Sequence, residues 1–306
     1  MPSPKPVDAS VVIVTRDRRD VLRGVLDSLL RQSVAAELLV LDDASQDETF
    51  EMLSRDFPGV SAHRREEPLG CVARRTEAAH LARGKVIVFL DDDIEIDSTQ
   101  VLERTLADID HPGVGAVAMP FMESWDTPRV RFRAPNTNGV FATFRFAAGA
   151  SAVRRDLFLS LGGFRPELVV QGEETDFCLR LLARGFVVRL GTADPLLHLR
   201  LPPDDLAAKA MYGARNELLY AWRNVPMPYL PVRLTKVVAR ALMVGASSRH
   251  PLSAISGLWQ GFKRTVGAPD QRRPVERGVY RLAHELKKRE AIPFEEIEPQ
   301  LRSATD

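Results

Sequence analysis

Ser10-Val-Val-Ile-Val-Thr15, Leu38-Leu-Val-Leu-Asp-Asp43 and Val86-Ile-Val-Phe-Leu-Asp-Asp-Asp93 are the stretches whose reading decides the fold. Each opens with a short run that is apolar on both faces and too brief for a helix, as expected of strands buried in a parallel sheet. Helical spacing separates them. Asp17 offers an N-cap, with Asp20 three residues on, before Val21, Leu22, Val25, Leu26, Leu29 and Leu30 recur at a helical spacing. Ser45 and Glu48 make a capping-box pattern for a second helix, and a third is predicted near residues 70–83, stopped by Gly84. Strands alternating with helices predict a mostly parallel α/β sheet with right-handed crossovers.

After about residue 113 the rhythm changes. Val114–Ala118, Val130–Arg133 and Val140–Phe146 alternate in the manner of antiparallel strands, which predicts a smaller, mixed second half. Helical spacing returns over Asp156–Leu161, ended by Gly162-Gly163, and over Glu173–Arg184, ended by Gly185 at a left-handed cap. Past Leu201-Pro-Pro203 the chain reads as helical and basic. These shifts divide it into 8–112 and 113–203, together one folded unit, and an appended 204–306. Gly113-x-Gly-x-x-Ala118 mimics a dinucleotide fingerprint, but it precedes a strand instead of joining a strand to a helix.

The 306 residues, 45% apolar and 27% charged, can bury a substantial core and exclude a disordered or fibrous chain. Cys71 and Cys178, the two cysteines, stand far apart, which argues against a disulfide framework or zinc cluster and for a reducing compartment. The opening residues Met1–Asp8 lack a signal-peptide pattern and no apolar run reaches the length of a membrane span, so a cytoplasmic location is expected. The net charge of +1 conceals an asymmetry: residues 207–306 carry 17 Lys and Arg against 9 Asp and Glu, or +8, leaving −7 on residues 1–206.

In an open parallel sheet, ligands bind beyond the carboxyl ends of the strands. Asp42-Asp43 and Asp91-Asp92-Asp93 lie there. Adjacent carboxylates repel one another unless a cation or an array of donors neutralises them, and hard oxygen ligands suit Mg2+ or Mn2+. A divalent cation carrying phosphates is one reading of the triplet; a solvated acidic turn is the other.

Five segments in order resemble the motifs of family 2 glycosyltransferases: Ser10–Thr15, Leu41–Asp47, Gly70–Arg75, Phe89–Asp93 and Gly172–Leu181. The resemblance covers roughly residues 8–220. It implies the GT-A fold, a Rossmann-like sheet, with 8–112 as the nucleotide-binding half, 113–203 as the acceptor half and a helical C-terminal extension. It implies a nucleotide-sugar donor and a Mn2+ or Mg2+ cofactor. By the resemblance, Asp43 accepts from the nucleobase, with Asp42 beside it and Thr15 at the mouth of the first strand. Arg74, on the helix facing the nucleotide, can pair with the acidic cluster or a phosphate; Asp91 contacts ribose or metal, Asp92 belongs with it to the nucleotide- and donor-binding set, and Asp93 binds the metal. His198 resembles a histidine that supplements the metal or diphosphate site in some relatives. Gly163 lets the chain pass close to the donor sugar. Glu174 occupies the position of the general base, where relatives carry Asp, and Asp176 is the alternative. An inverting displacement of a hexosyl or deoxyhexosyl unit is implied.

Two other functions compete. A nucleotidylyltransferase of similar fold needs a Gly-rich basic loop after the first strand, and Thr15-Arg-Asp-Arg-Arg19 has arginines without glycine. A catalytically silent sugar-nucleotide-binding protein needs no Asp91, Asp93 or Glu174. Nucleic acid is not an expected partner; the acceptor is lipid-linked, a saccharide or a small molecule, as in cell-envelope polysaccharide synthesis. In residues 229–245, Leu230, Leu234, Val237, Val238 and Ala241 form an apolar face beside Arg233, Lys236 and Arg240. Such a helix suits either packing on the folded unit or peripheral contact with an anionic membrane, with Arg272, Arg273, Arg277 and Arg281 adding charge.

Overall fold

The computed structural model describes residues 8–124, 129–199 and 205–303. The leader region and the boundary at Leu201-Pro-Pro203 therefore lie outside the described residues, except for Asp8. In chain order the elements are β1 (Ala9–Thr15), α1 (Arg19–Leu30), β2 (Glu37–Asp42), α2 (Thr49–Asp56), β3 (Ser61–Arg64), α3 (Cys71–Leu81), β4 (Val86–Asp91), β5 (Ile94–Glu95) and α4 (Val101–Ile109). There follow β6 (Val114–Ala118), β7 (Phe121–Glu123), β8 (Phe141–Thr143), β9 (Ala150–Arg154), α5 (Arg155–Ser160), α6 (Glu173–Leu182), β10 (Val187–Leu190) and β11 (Leu196–His198). The C-terminal third supplies α7 (Leu206–Asn224), α8 (Tyr229–Ser247), α9 (Pro251–Gly267), α10 (Arg277–Arg289), β12 (Ile292–Pro293) and α11 (Phe294–Ser303).

Nine strands form one sheet in the order β12-β8-β10-β6-β9-β4-β1-β2-β3. β3, β2, β1 and β4 run parallel, β9 reverses between β4 and β6, and β8 and β12 continue antiparallel at the far edge. The parallel core follows from β-branched and aliphatic runs buried on both faces. Its register aligns the acids: Thr15 pairs with Asp42, and Val14 with Asp91, at one edge of the sheet.

Several local expectations are corrected. Asp17 does not cap α1; the helix starts at Arg19, and Asp17 sits in the left-handed region at φ 54°, accepting from the Gln46 amide. The Ser45/Glu48 capping box does not form, because Asp47 takes the Thr49 amide and Ser45 accepts from the Asp17 amide instead. Val130–Arg133 makes only isolated bridges, and the 140–146 run narrows to the three residues of β8, of which Ala142 and Thr143 pair with Arg189 and Val188 of β10.

The region after residue 204 splits physically. α7, α8 and α9 share a small core of Ala221, Val225, Leu230 and Val237, whereas Val279, Leu282, Leu286, Ile292 and Phe294 return to the main core.

Candidate active site

The acidic edge is assembled by strand register and a second, three-stranded sheet. β11 runs antiparallel to β5, setting His198 opposite Ile94 and next to Asp93. The Leu199 amide donates to the Asp93 carbonyl, and His198 Nε2 lies 3.2 Å from Asp93 Oδ1. Ligand atoms of Asp91, Asp93 and His198 lie within 4.8 Å of one another. Two carboxylates and an imidazole are a donor set that suits Mn2+ or Mg2+.

Two guanidiniums temper the cluster. Arg18 donates to Asp92 Oδ1 at 2.6 Å and to Asp93 Oδ2 at 3.1 Å, and Thr15 donates its hydroxyl to Asp92 Oδ2 at 2.7 Å. Burial pushes the Asp92 carboxyl up, against the pull of Arg18 and Thr15. The hydrogen bond to Asp93 holds the His198 imidazole above its ordinary value. Asp91 is half-exposed and pairs with Arg75. Gly149 makes room for it: a Cβ at that position would overlap the Asp91 carboxylate.

Asp43 is held by the Leu69 and Gly70 amides at 2.9 and 2.8 Å, in the turn leading into α3. Asp42 beside it is fully buried, accepting from the Ser45 amide through one oxygen, while the other has no hydrogen-bond partner.

Arg74, Gly163 and Asp176 each carry a structural contact of their own, and for Arg74 it includes the pairing with the acidic edge that the resemblance allowed. Arg74 is fully buried and spends its guanidinium on Glu77 and on the Asp42 and His63 carbonyls; its Nε is 3.6 Å from Asp43. One residue is 100° around a helix, so Arg75, not Arg74, meets Asp91. Gly163 lies in the left-handed region at φ 65°, and a Cβ there would come within 2.6 Å of Thr76 Cγ2 on α3. Its glycine serves the packing of the loop on α3. Asp176 is buried and fully engaged by Arg165 at 3.0 Å, Arg180 at 2.8 Å and Asn224 at 2.8 Å. Such a carboxylate locks elements together and has no free oxygen to offer a substrate.

Glu174 stands differently. It lies in the first turn of α6, half-buried, with one oxygen 3.4 Å from the Ala148 amide. Burial pushes its carboxyl up, against the Arg75 charge. Glu173 beside it is pushed up to about 8 by burial and by Glu174. The preceding loop is strained, with positive φ at Val169 and Gln171, and Asn216 pins it by donating to the Leu168, Val170 and Gln171 carbonyls. Arg18, Arg75, Gly149 and Asn216 were not singled out from sequence. Arg18 lies in the arginine run that follows β1 and Arg75 closes the Gly70–Arg75 segment, so both carried a signal.

Residues 10–164, just over half the chain, match Glycosyl transferase family 2. The chain belongs to that family. It is 27% identical over 216 residues to the O-antigen biosynthesis protein RfbC of Myxococcus xanthus, covering 62% of this chain but 17% of that protein. An uncharacterized glycosyltransferase of Haemophilus influenzae is 24% identical over 183 residues, 56% of this chain and 61% of its own. The family member thus spans under two thirds of either relative. Among solved structures it is similar to S. aureus TarS in complex with UDP-GlcNAc, at TM-score 0.65 and 14% identity over 97% of this chain and 88% of that one. The mannosyltransferase PcManGT of Pyrobaculum calidifontis, in complex with GDP-Man and Mn2+, gives TM-score 0.57 and 18% identity over 98% and 86%. These likenesses show the GT-A fold.

Proposed function

We propose that this family 2 member is a metal-dependent, inverting glycosyltransferase that moves a hexosyl or deoxyhexosyl unit from a nucleoside-diphosphate sugar to an acceptor hydroxyl. The single observation that carries it is the convergence of Asp91, Asp93 and His198 within 4.8 Å at the edge that also holds Asp42 and Thr15. Asp91, Asp93 and His198 are the residues to hold Mn2+ or Mg2+, which when bound supplies Lewis-acid stabilisation of the departing diphosphate. Thr15, Asp42, Asp43 and Asp92 line the nucleotide side, and Arg75 orients Asp91. Glu174, ionised and near the N-terminus of α6, takes the proton of the acceptor hydroxyl as the oxygen attacks the anomeric carbon. The presence of both Asp93 and Glu174 favours this reading over a silent binding protein, and the absence of glycine from Thr15–Arg19 disfavours nucleotidyl transfer. In a thermal-shift panel of UDP, GDP and dTDP with Mn2+, one nucleotide is expected to raise Tm by several degrees, about 2.7 kcal/mol at a hundredfold excess over Kd. No shift from any nucleotide would remove the donor assignment.

We further propose that the protein works at the cytoplasmic face of an anionic membrane, where an envelope acceptor is presented. Among the described residues no helix is long and apolar enough to cross a membrane. The α8 face read from sequence is largely spent internally, since Leu230, Val237 and Ala241 are buried. Arg272 and Arg277, too, donate to backbone carbonyls of the α7–α8 connection. α9 is the better candidate. It buries its small residues Ala254, Gly257 and Gly261, with Gly257 and Gly261 against the α7 backbone, and exposes Leu252, Ile255, Trp259, Phe262 and Val266 at helical spacing. A helix built for water would do the reverse. Residues 229–267 contain six Lys and Arg and no Asp or Glu, and each cation near an anionic surface adds about 1 kcal/mol. The intact protein is expected to co-sediment with anionic liposomes at low salt, and a Trp259→Ser/Phe262→Ser variant to remain in the supernatant. Equal behaviour of the two proteins would exclude α9 as the contact.

A further inference from the structure

A cavity of about 500 Å3 lies between α6, α7, α8 and α10, apart from the acidic edge. Besides Lys209, its wall carries Arg233, Arg240 and Lys287 around a single carboxylate, Glu217. Glu217 is shared by Arg233 at 3.0 Å and Arg240 at 3.2 Å, so one carboxylate faces two guanidiniums and the Lys287 ammonium. Arg233 Nε is buried without a hydrogen-bond partner. Lys287 makes no hydrogen bond or ion pair among the described residues, and burial together with Arg233, Arg145 and Arg240 pushes its ammonium below the ordinary lysine value, against Glu217. A partly buried ammonium beside two guanidiniums that share one carboxylate is costly to hold, and a bound anion relieves that cost.

Two features say where such an anion belongs. Gln171, Gly172 and Thr175 form one rim, so the cavity adjoins the turn that carries Glu173 and Glu174. The other wall includes Val237, Ala241, Val244 and Leu206, of which Val244 and Leu206 are also exposed to the outside. A group entering here meets cations on one side and aliphatic surface on the other.

We propose that this cavity is an acceptor subsite for a phosphate group, which binds Lys287, Arg233 and Arg240 while the acceptor hydroxyl is presented towards Glu174. Naming it an acceptor subsite rests on the glycosyl-transfer reading; the phosphate site itself does not. The phosphate can belong to an amphiphilic, lipid-linked molecule or to a soluble ester. Phosphate, tetrahedral and multiply charged, suits convergent guanidinium and ammonium donors better than a neutral saccharide does.

The test is calorimetry on the full chain in EDTA, so that no divalent metal draws phosphate to the acidic edge. Phenyl phosphate, decyl phosphate and phosphate-free decanol are the probes. Both phosphates are expected to bind, and Lys287→Gln to weaken them about tenfold or more, the loss typical of one charge-assisted hydrogen bond. Arg240→Gln, at a largely exposed side chain whose loss the fold tolerates, should weaken them by a smaller factor. Decyl phosphate binding well above phenyl phosphate supports the site with a lipid-linked source; equal affinity supports it with a soluble one. Unchanged phosphate affinity in both variants, or decanol binding as tightly as decyl phosphate, would overturn the site. Because neither metal nor nucleotide is present, phosphate binding together with a failed nucleotide panel would leave the cavity assigned and remove only its acceptor role.

Discussion

Asp93→Ala is expected to abolish metal-dependent nucleotide binding while leaving the protein folded. Asp93 is the acid that touches His198, Arg18 and, through its carbonyl, Leu199, so it joins β5 and β11 at the point where a cation would sit. The backbone contact survives the substitution, and Arg18 keeps Asp92 at 2.6 Å, which protects the fold. What is lost is one of two hard oxygen donors, and the affinity of a site so reduced should fall by on the order of a hundredfold or more. Calorimetric titration with the matching nucleotide, with and without Mn2+, reads this directly. Unchanged Mn2+-dependent affinity in a folded variant would take Asp93 out of the metal site.

Glu174→Gln is expected to keep donor affinity and lower kcat by about 10²–10⁴-fold, the usual contribution of a positioned base. Asp176→Asn should act on another axis. It removes a charge that Arg165 and Arg180 share in a buried network, so its effect should appear as about 3–5 kcal/mol of lost stability, with a corresponding fall in Tm. If Asp176→Asn loses turnover at unchanged Tm while Glu174→Gln does not, the two roles are exchanged. The pH profile adds a sign. A base must be ionised, and burial raises the Glu173/Glu174 pair, so turnover should climb with pH on an acid limb above the ordinary carboxylate range. Replacing Glu173 by Gln removes a like charge and should move that limb to lower pH. A limb that stays where it was would separate the pair from the profile.

The parallel half was legible because β1, β2 and β4 are buried on both faces, and burial on both faces is written as continuous apolar runs. Acids directly after those runs had to fall at one edge of the sheet. The second half was less legible. β9, which reverses between β4 and β6, and β8, only three residues long, are specified by their neighbours more than by their own pattern. Capping was misread at Asp17 and at Ser45/Glu48 because these side chains bond across the β1 and β2 loops, between residues nearly thirty positions apart.

By itself, the sequence determined the strand–helix alternation and the acidic edge, since each depends on periodicity or on residues adjacent in the chain, while the candidate base, Glu174, came from the resemblance to the family. Tertiary structure alone decided that Arg75 and not Arg74 meets Asp91, that Asp176 is a buried tie, and that Gly149 clears the Asp91 carboxylate. It also decided that α9 turns its large apolar side chains outward and that four cations of the C-terminal helices line one cavity. The physical reason is common to all of these. Helix phase, strand register and helix packing fix which side chains meet, and a rotation of one residue or a shift of one strand changes the partner without changing the composition or local pattern from which a sequence is read.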